Sequence, residues 1–238
     1  MRPVDNSGRP PAWGHRTARG YRRSMRITIA GGHGQIAQHL ERQLVRAGHE
    51  AVGLVRNPDH VADLEANGAE AVVLDLESAG VADVAQALDG SDAVVFTAGG
   101  GPGSGVERKE TVDKNAAILL ADAAEQAGVT RYLMISSMGA DDADPDSDDV
   151  FQVYLRAKKA ADDDLRRRDL AWTIVRPGRL TDEPGTGLVQ VGALPRGSVT
   201  REDVAAVLVA ALDLSRTVGK TFDLLNGEDE IAEALLKV

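Results

Sequence analysis

Tyr154 and Lys158 stand four positions apart in a stretch of helical periodicity, so their side chains share one helix face. A phenol, with an ordinary pKa of about 10, is a poor acid or base near neutral pH, and a neighbouring ammonium favours its ionised form. Such a pair suits proton delivery during a reduction. Upstream, Ser136 and Ser137 close a strand-like run, where a hydroxyl could hydrogen-bond a substrate carbonyl. Capping or turn formation accounts for the serines equally well.

A second constellation, Gly31-Gly-His-Gly-Gln-Ile-Ala37, follows the apolar run Arg26–Ala30 and opens into a helix. Gly31 permits a tight turn, Gly34 lets the backbone approach a pyrophosphate, and the small Ala37 allows the helix to pack against the strand. The helix start offers unpaired N–H groups and the positive end of its dipole. The pattern predicts a dinucleotide site comprising Gly31, Gly32, His33, Gly34, Gln35 and Ile36, with His33 mainly filling the loop. Arg56 follows the second strand-like run, where an acidic residue commonly grips the ribose 2′-hydroxyl. A guanidinium there, with no carboxylate at the strand end, favours a 2′-phosphate, hence NADP with NAD still possible. A solvated arginine beside Asn57-Pro58 is the plainer account of the same residue.

The elements that must position these groups alternate. Strand-like runs fall at Arg26–Ala30, Ala51–Val55, Ala71–Leu74, Ala93–Thr97, Tyr132–Ile135 and Trp172–Val175. Helical patterns at Gln35–Ala47, Asp59–Asn67, Val81–Leu88 and Val112–Ala127 each stop near a glycine, at 48, 68, 90 and 128. Repeated βα units imply an α/β fold, a doubly wound Rossmann-type parallel sheet with its ligand crevice at the strands' carboxyl ends. A helix over about Val150–Arg168 carries Asp162-Asp-Asp164 ahead of Arg166-Arg-Arg168, expected to be a solvated face that favours a monomer or at most a weak homodimer. Beyond Pro177 come a strand at Leu188–Val191, a helix at Arg201–Leu212, a strand at Thr221–Leu225 and a last helix near Ile231–Leu236. Residues 179–238 are too few for a separate domain and are expected to line the substrate side of a single domain, 25–238.

Composition narrows the function classes. The 238 residues include no cysteine, which excludes disulfides and thiolate chemistry. Their net charge is −10, but residues 1–24 hold six arginines against one aspartate, leaving the body more acidic still and poorly suited to nucleic acid. That leader lacks a hydrophobic stretch and is expected to be a disordered basic arm, an extension ahead of a start at Met25. The longest apolar run, Val204–Leu212, is far short of a membrane span. A soluble, cytoplasmic protein acting on a small molecule, without membrane or nucleic-acid partners, is expected. No histidine pair has metal spacing, and no metal site is expected.

With these residues in view, the chain from about Arg26 onward resembles the atypical short-chain dehydrogenases/reductases, in particular their NAD(P)H-binding, sugar-epimerase-like or flavin-reductase-like group. The resemblance rests on the glycine turn, Leu54-Val-Arg-Asn-Pro58, Asp75-Leu76, Phe96-Thr-Ala-Gly99, Tyr132-Leu-Met-Ile-Ser-Ser137, Tyr154-Leu-Arg-Ala-Lys158, Arg176-Pro-Gly178 and Glu183-Pro-Gly-Thr-Gly187. It implies that Asp75 and Leu76 border the adenine, Thr97, Ala98 and Gly99 the cofactor ribose, and Pro177 with Gly178 the nicotinamide. It further implies that Lys158 holds the nicotinamide ribose while Tyr154 donates a proton as hydride arrives. Ala37 in place of a third glycine and the aspartates at 141, 142, 144, 146, 148 and 149 depart from the pattern. This acidic loop is expected to disfavour anionic substrates at the site mouth, and the glycine-rich segment 99–105 either to cover the nicotinamide end or to be a long turn without function.

Three functions fit these features: an NADP-dependent oxidoreductase acting on a small carbonyl, quinone or flavin-like substrate, an NADP(H)-binding sensor without turnover, and an epimerase or dehydratase of nucleotide sugars. The last is disfavoured by the short C-terminal segment.

Overall fold

The computed structural model describes residues 23–101 and 103–238; the expected basic arm falls almost wholly outside them. Strands and helices follow as β1 (Arg26–Ala30), α1 (Gln35–Arg46), β2 (Glu50–Val55), α2 (Val61–Ala66), β3 (Glu70–Val73), α3 (Val81–Ala87), β4 (Ala93–Phe96) and α4 (Val106–Arg108). A π-helical stretch, Lys109–Ala116, joins α4 directly to α5 (Ala117–Ala127). Next come β5 (Arg131–Ile135), α6 (Val150–Leu165), β6 (Ala171–Pro177), β7 (Arg179–Thr181), β8 (Leu188–Gly192), β9 (Ser198–Thr200), α7 (Arg201–Leu212), β10 (Lys220–Asn226), β11 (Asp229–Glu230) and α8 (Ile231–Leu235). Among the described residues no helix is long and apolar enough to cross a membrane.

The main sheet has the order β11-β8-β10-β6-β5-β4-β1-β2-β3, parallel from β10 to β3, with β8 and β11 added antiparallel at one edge. Strand order reverses between β1 and β4, and the crevice expected of a doubly wound sheet opens there. Both faces are covered. Ile27, Ile29 and Val95 pack with α1 and α7, whereas Ala30, Val94 and Phe96 point the other way onto α3, α5 and α6. Period-two alternation thus appears in strands whose two sides are both apolar, each large buried side chain contributing about 1.5–3 kcal/mol. The four helices expected to stop at glycines do so, Gly48, Gly68, Gly90 and Gly128 all lying in the left-handed region.

Residues 179–238 extend this sheet through β10, which pairs with β6. Asp203 of α7 binds the Glu183–Gly187 segment by accepting hydrogen bonds from the Thr186 and Gly187 amides and from Asn226. Burial opposes charge on Asp203, yet these donors hold its carboxyl below the usual carboxylate range.

Two expectations need correction. The helix expected to begin at Val112 begins at Val106 and passes through a π-helical stretch at Lys109–Ala116, in which Lys109, Val112, Asp113 and Ala116 are buried. The acidic–basic run of α6 is not simply solvated. Asp162 is fully buried and receives Arg176 of β6 at 2.6 Å, while Arg168 joins Asp164 to Asp122 and Glu125 of α5. Of the three i,i+4 acid–base pairs that this spacing offers, only Asp164–Arg168 forms; Asp163 bonds Lys159 and Arg166 instead.

Glu41, on the buried face of α1, lies under the turn after β1. Its Oε2 accepts from Asn67 at 2.8 Å, and its Oε1 lacks a partner. Burial raises this carboxyl to about 7, against the smaller effects of Asn67 and Arg42. A carboxyl raised on folding stabilises the fold below its unfolded pKa, and that contribution is lost as pH climbs through the folded value. Native stability should therefore fall between about pH 4.5 and about 7 by an amount on the order of 1–3 kcal/mol. Denaturant midpoints measured across this range should show Glu41→Gln, which mimics the protonated acid, matching the parent at pH 5 and exceeding it at pH 8. Parallel curves at every pH would contradict this.

Candidate active site

Every parallel strand from β2 to β6 around the switch point delivers its carboxyl end to one cavity of about 1480 Å³. The turn after β1 forms one part of its wall. Gly31 has φ +82°, and a Cβ there would lie 2.7 Å from the Cα of Ala98. Gly34 starts α1 in extended conformation, and no side chain caps the helix. Gly31, His33, Gly34, Gln35 and Ile36 reach the cavity as expected. Gly32 does not: it presses on β2, where a Cβ would come 2.7 Å from the Cα of Gly53, so its requirement is packing between turn and strand. His33 stacks on His60 with 3.6 Å between ring centroids and bonds Asp63 at 2.8 Å. These contacts brace the loop.

At one end of the cavity Arg56, Asp75 and Leu76 line the wall. The carboxylate missing from the end of β2 comes from the loop after β3. Glu77 lies 3.2 Å from Arg56 and 3.2 Å from Arg108 and accepts from the Thr111 hydroxyl at 2.7 Å. One acid thus sits between two guanidiniums, a grouping invisible while Arg56 is read alone. Thr97, Ala98 and Gly99 form the next stretch of wall. The Thr97 hydroxyl donates to the Ala30 carbonyl at 2.8 Å, tying the end of β4 to that of β1.

At the other end Tyr154, Lys158, Ser136, Ser137, Pro177 and Gly178 converge. Tyr154 is half-buried on α6, and the Lys158 ammonium lies 5.9 Å from its ring centroid. Lys158 is almost fully buried. It donates to the Ile135 carbonyl at 3.2 Å and forms an ion pair with Asp113 at 3.3 Å. Asp113, also buried, accepts from the Gly100 amide at 3.1 Å through its other oxygen. A single carboxylate therefore fixes both the lysine and the start of the glycine segment. The two serines differ: Ser136 is buried with its hydroxyl beside Asp162, whereas Ser137 is partly exposed and donates to the Met138 carbonyl at 3.3 Å.

The acidic loop is disposed differently from its expected role. Asp141 accepts from Arg176, which holds its carboxyl below the usual range, and Asp149 caps α6 by accepting from Phe151 and Gln152. Of the six aspartates only Asp149 lines the cavity wall. Of residues 179–238 only Leu180 and Arg201 line the cavity; β8, β10 and β11 extend the main sheet, and β7 with β9 forms a small second one. Lys109, Asp113, Glu77 and Arg108 are the site residues missed by the sequence reading. The available signal was two charged side chains, Lys109 and Asp113, in an i, i+3, i+4, i+7 stripe otherwise made of Val112 and Ala116.

A dinucleotide fits this donor set. The uncapped start of α1 supplies free N–H groups at the cavity wall, and cations stand at both ends. Residues 31–214 match a family model described as NAD(P)H-binding. The chain is 38% identical to the uncharacterized sugar epimerase YhfK of Bacillus subtilis (strain 168) over 90% of its own length and all of that protein. Among solved structures, a Bacillus halodurans protein provisionally named an NAD-dependent epimerase/dehydratase superposes with a TM-score of 0.84 at 39% identity, covering 90% of this chain and 100% of that one. The oxidoreductase ylbE of Lactococcus lactis gives 0.79 at 28% identity, covering 90% and 96%. A glycine turn that opens α1 at the cavity, a Rossmann-type sheet, the family match and these near full-length relatives place the chain in the NAD(P)H-binding family, among oxidoreductase-like and sugar-epimerase-like relatives.

Proposed function

We propose that the protein is an NADP-dependent reductase of the short-chain type, reducing a small carbonyl, quinone or flavin-like acceptor. The observation that carries this reading is the Tyr154–Lys158–Asp113 arrangement at the end of the cavity opposite the arginines. Gly31, Gly34, Gln35 and Ile36 would hold the pyrophosphate through backbone N–H groups, Asp75 and Leu76 the adenine, and Thr97, Ala98 and Gly99 the adjoining ribose. Pro177 and Gly178 would border the nicotinamide, and Lys158 its ribose. When bound, the reduced nicotinamide supplies the hydride.

The chain's own residues do the rest. Tyr154 would give its phenolic proton to the reduced acceptor, leaving a phenolate on the protein side. The Lys158 ammonium stabilises that negative charge, and Asp113 with the Ile135 carbonyl keeps it in place. Ser137, the less buried serine, orients the acceptor oxygen; Ser136 supports the Asp162–Arg176 pair behind it. Two features favour reduction over nucleotide-sugar chemistry: the C-terminal segment contributes only Leu180 and Arg201 to the wall, and the acceptor end is edged by the apolar Val150 and Phe151.

Arg56 and Arg108 would take the 2′-phosphate in competition with Glu77. Calorimetric titration should give tighter binding of NADPH than of NADH. Arg56→Ala should weaken NADPH at least tenfold, about 1.4 kcal/mol, and leave NADH unchanged, whereas Glu77→Gln should tighten NADPH. Equal affinities for the two dinucleotides in the parent and in Arg56→Ala would refute the NADP assignment.

Tyr154→Phe should lower kcat by roughly 100-fold while the dinucleotide Kd stays within about twofold. Unchanged turnover in steady-state assays of that variant would remove Tyr154 from the mechanism. NADPH binding with no turnover of carbonyl, quinone or flavin acceptors would favour the sensor.

A further inference from the structure

Lys109 is the cation that the proposed mechanism leaves unused. It is almost fully buried, lines the cavity, and places its ammonium 5.4 Å from the Tyr154 ring centroid, on the acceptor side of the site. Of its three N–H donors one is engaged, by the Gly101 carbonyl at 3.0 Å. Among the described residues no carboxylate lies within ion-pair distance of it, although the neighbouring buried cations are all compensated: Lys158 by Asp113, Arg176 by Asp141 and Asp162. An ammonium withdrawn from water and given only one neutral carbonyl is costly unless an anion completes its surroundings. The adjoining lip presents Val150 and Phe151 beside Asp149, whose carboxylate is turned to the α6 N-terminus; Phe151 is 53% exposed and 5.9 Å from the Tyr154 ring at an interplanar angle of 30°.

We propose that Lys109 is the anion-binding residue of the acceptor site, and that the acceptor is a planar conjugated or aryl carbonyl compound bearing a carboxylate. The carboxylate takes the free donors of Lys109, and the flat body of the molecule lies against Phe151 and Tyr154. Lys109 and Asp113 stand four positions apart and both turn inward from the stretch Lys109–Ala116, so that one acid–base pair orders Lys158 while the second cation faces the ligand. The proposal rests on the reductase reading for the site's identity, but its binding step is separable from turnover.

The test uses benzoylformate and its methyl ester, which differ in the carboxylate charge, titrated into the full chain saturated with NADP⁺. The acid should bind at least tenfold tighter than the ester. Lys109→Met should lose that preference, weakening the acid about tenfold and leaving the ester unchanged, and Lys109→Arg should restore most of it. Absence of an acid preference in the parent, including failure of both compounds to bind, overturns the proposal. So does an equal loss for acid and ester in Lys109→Met, which would make Lys109 only a fastener for the glycine segment through Gly101. If the parent takes up neither NADP(H) nor NAD(H), the reductase reading fails, and the same comparison on the cofactor-free chain still decides the role of Lys109.

Discussion

The close backbone approach at the first turn is the constraint on which the site depends. Gly31 lies against Ala98 at the end of β4, and Gly32 against Gly53 of β2. The turn is clamped between the two strands that flank β1, one on each side of the switch point. A side chain at either glycine would push the start of α1 away from the sheet and close the gap where its N–H groups face the cavity. Thr97 reinforces the clamp by bonding the Ala30 carbonyl, so the ends of β1 and β4 cannot separate freely. Glu41, beneath the same contact, has an unpartnered oxygen 2.9 Å from where a Cβ on Gly53 would lie.

Given that frame, charge is distributed by pairs that cross between elements. Asp113 links the π-helical turn to Lys158 of α6 and to the glycine segment; Arg176 links β6 to α6 and to the loop after β5. Such buried pairs add little net stability when set against desolvation, but they fix geometry, since losing one partner strands the other in a low-dielectric interior. At the opposite end, Glu77 sits between Arg56 and Arg108, all three partly exposed. The cavity therefore has a locked end around Lys158 and a more open, polar end around Arg56.

Much of this was legible in the residues themselves. The glycine stops at 48, 68, 90 and 128, the apolar strand runs and the Gly31–Ala37 turn are local signals, each governed by neighbours within a few positions. Tyr154 and Lys158 share a face because helical periodicity requires it. By contrast, Gly32 looked like a phosphate-turn residue and proves to be a packing residue, since nothing local announces Gly53 across the sheet. Asp162 looked solvated because its own helix repeats acid and base, and it is buried because Arg176 reaches it from β6.

Sequence alone was sufficient for the doubly wound class, the βα alternation as far as β6, the glycine turn into α1 and the Tyr154–Lys158 face, all set by short-range backbone preference and hydrophobic period. Tertiary structure decided which charges meet. Glu77 joins Arg56, Asp113 joins Lys158, and Lys109 is left with a lone carbonyl, because these contacts depend on strand order and on how the helices dock against the sheet. Electrostatic pairing acts through space over a few ångströms, and no spacing along the chain specifies which distant residues a parallel sheet will bring within that distance.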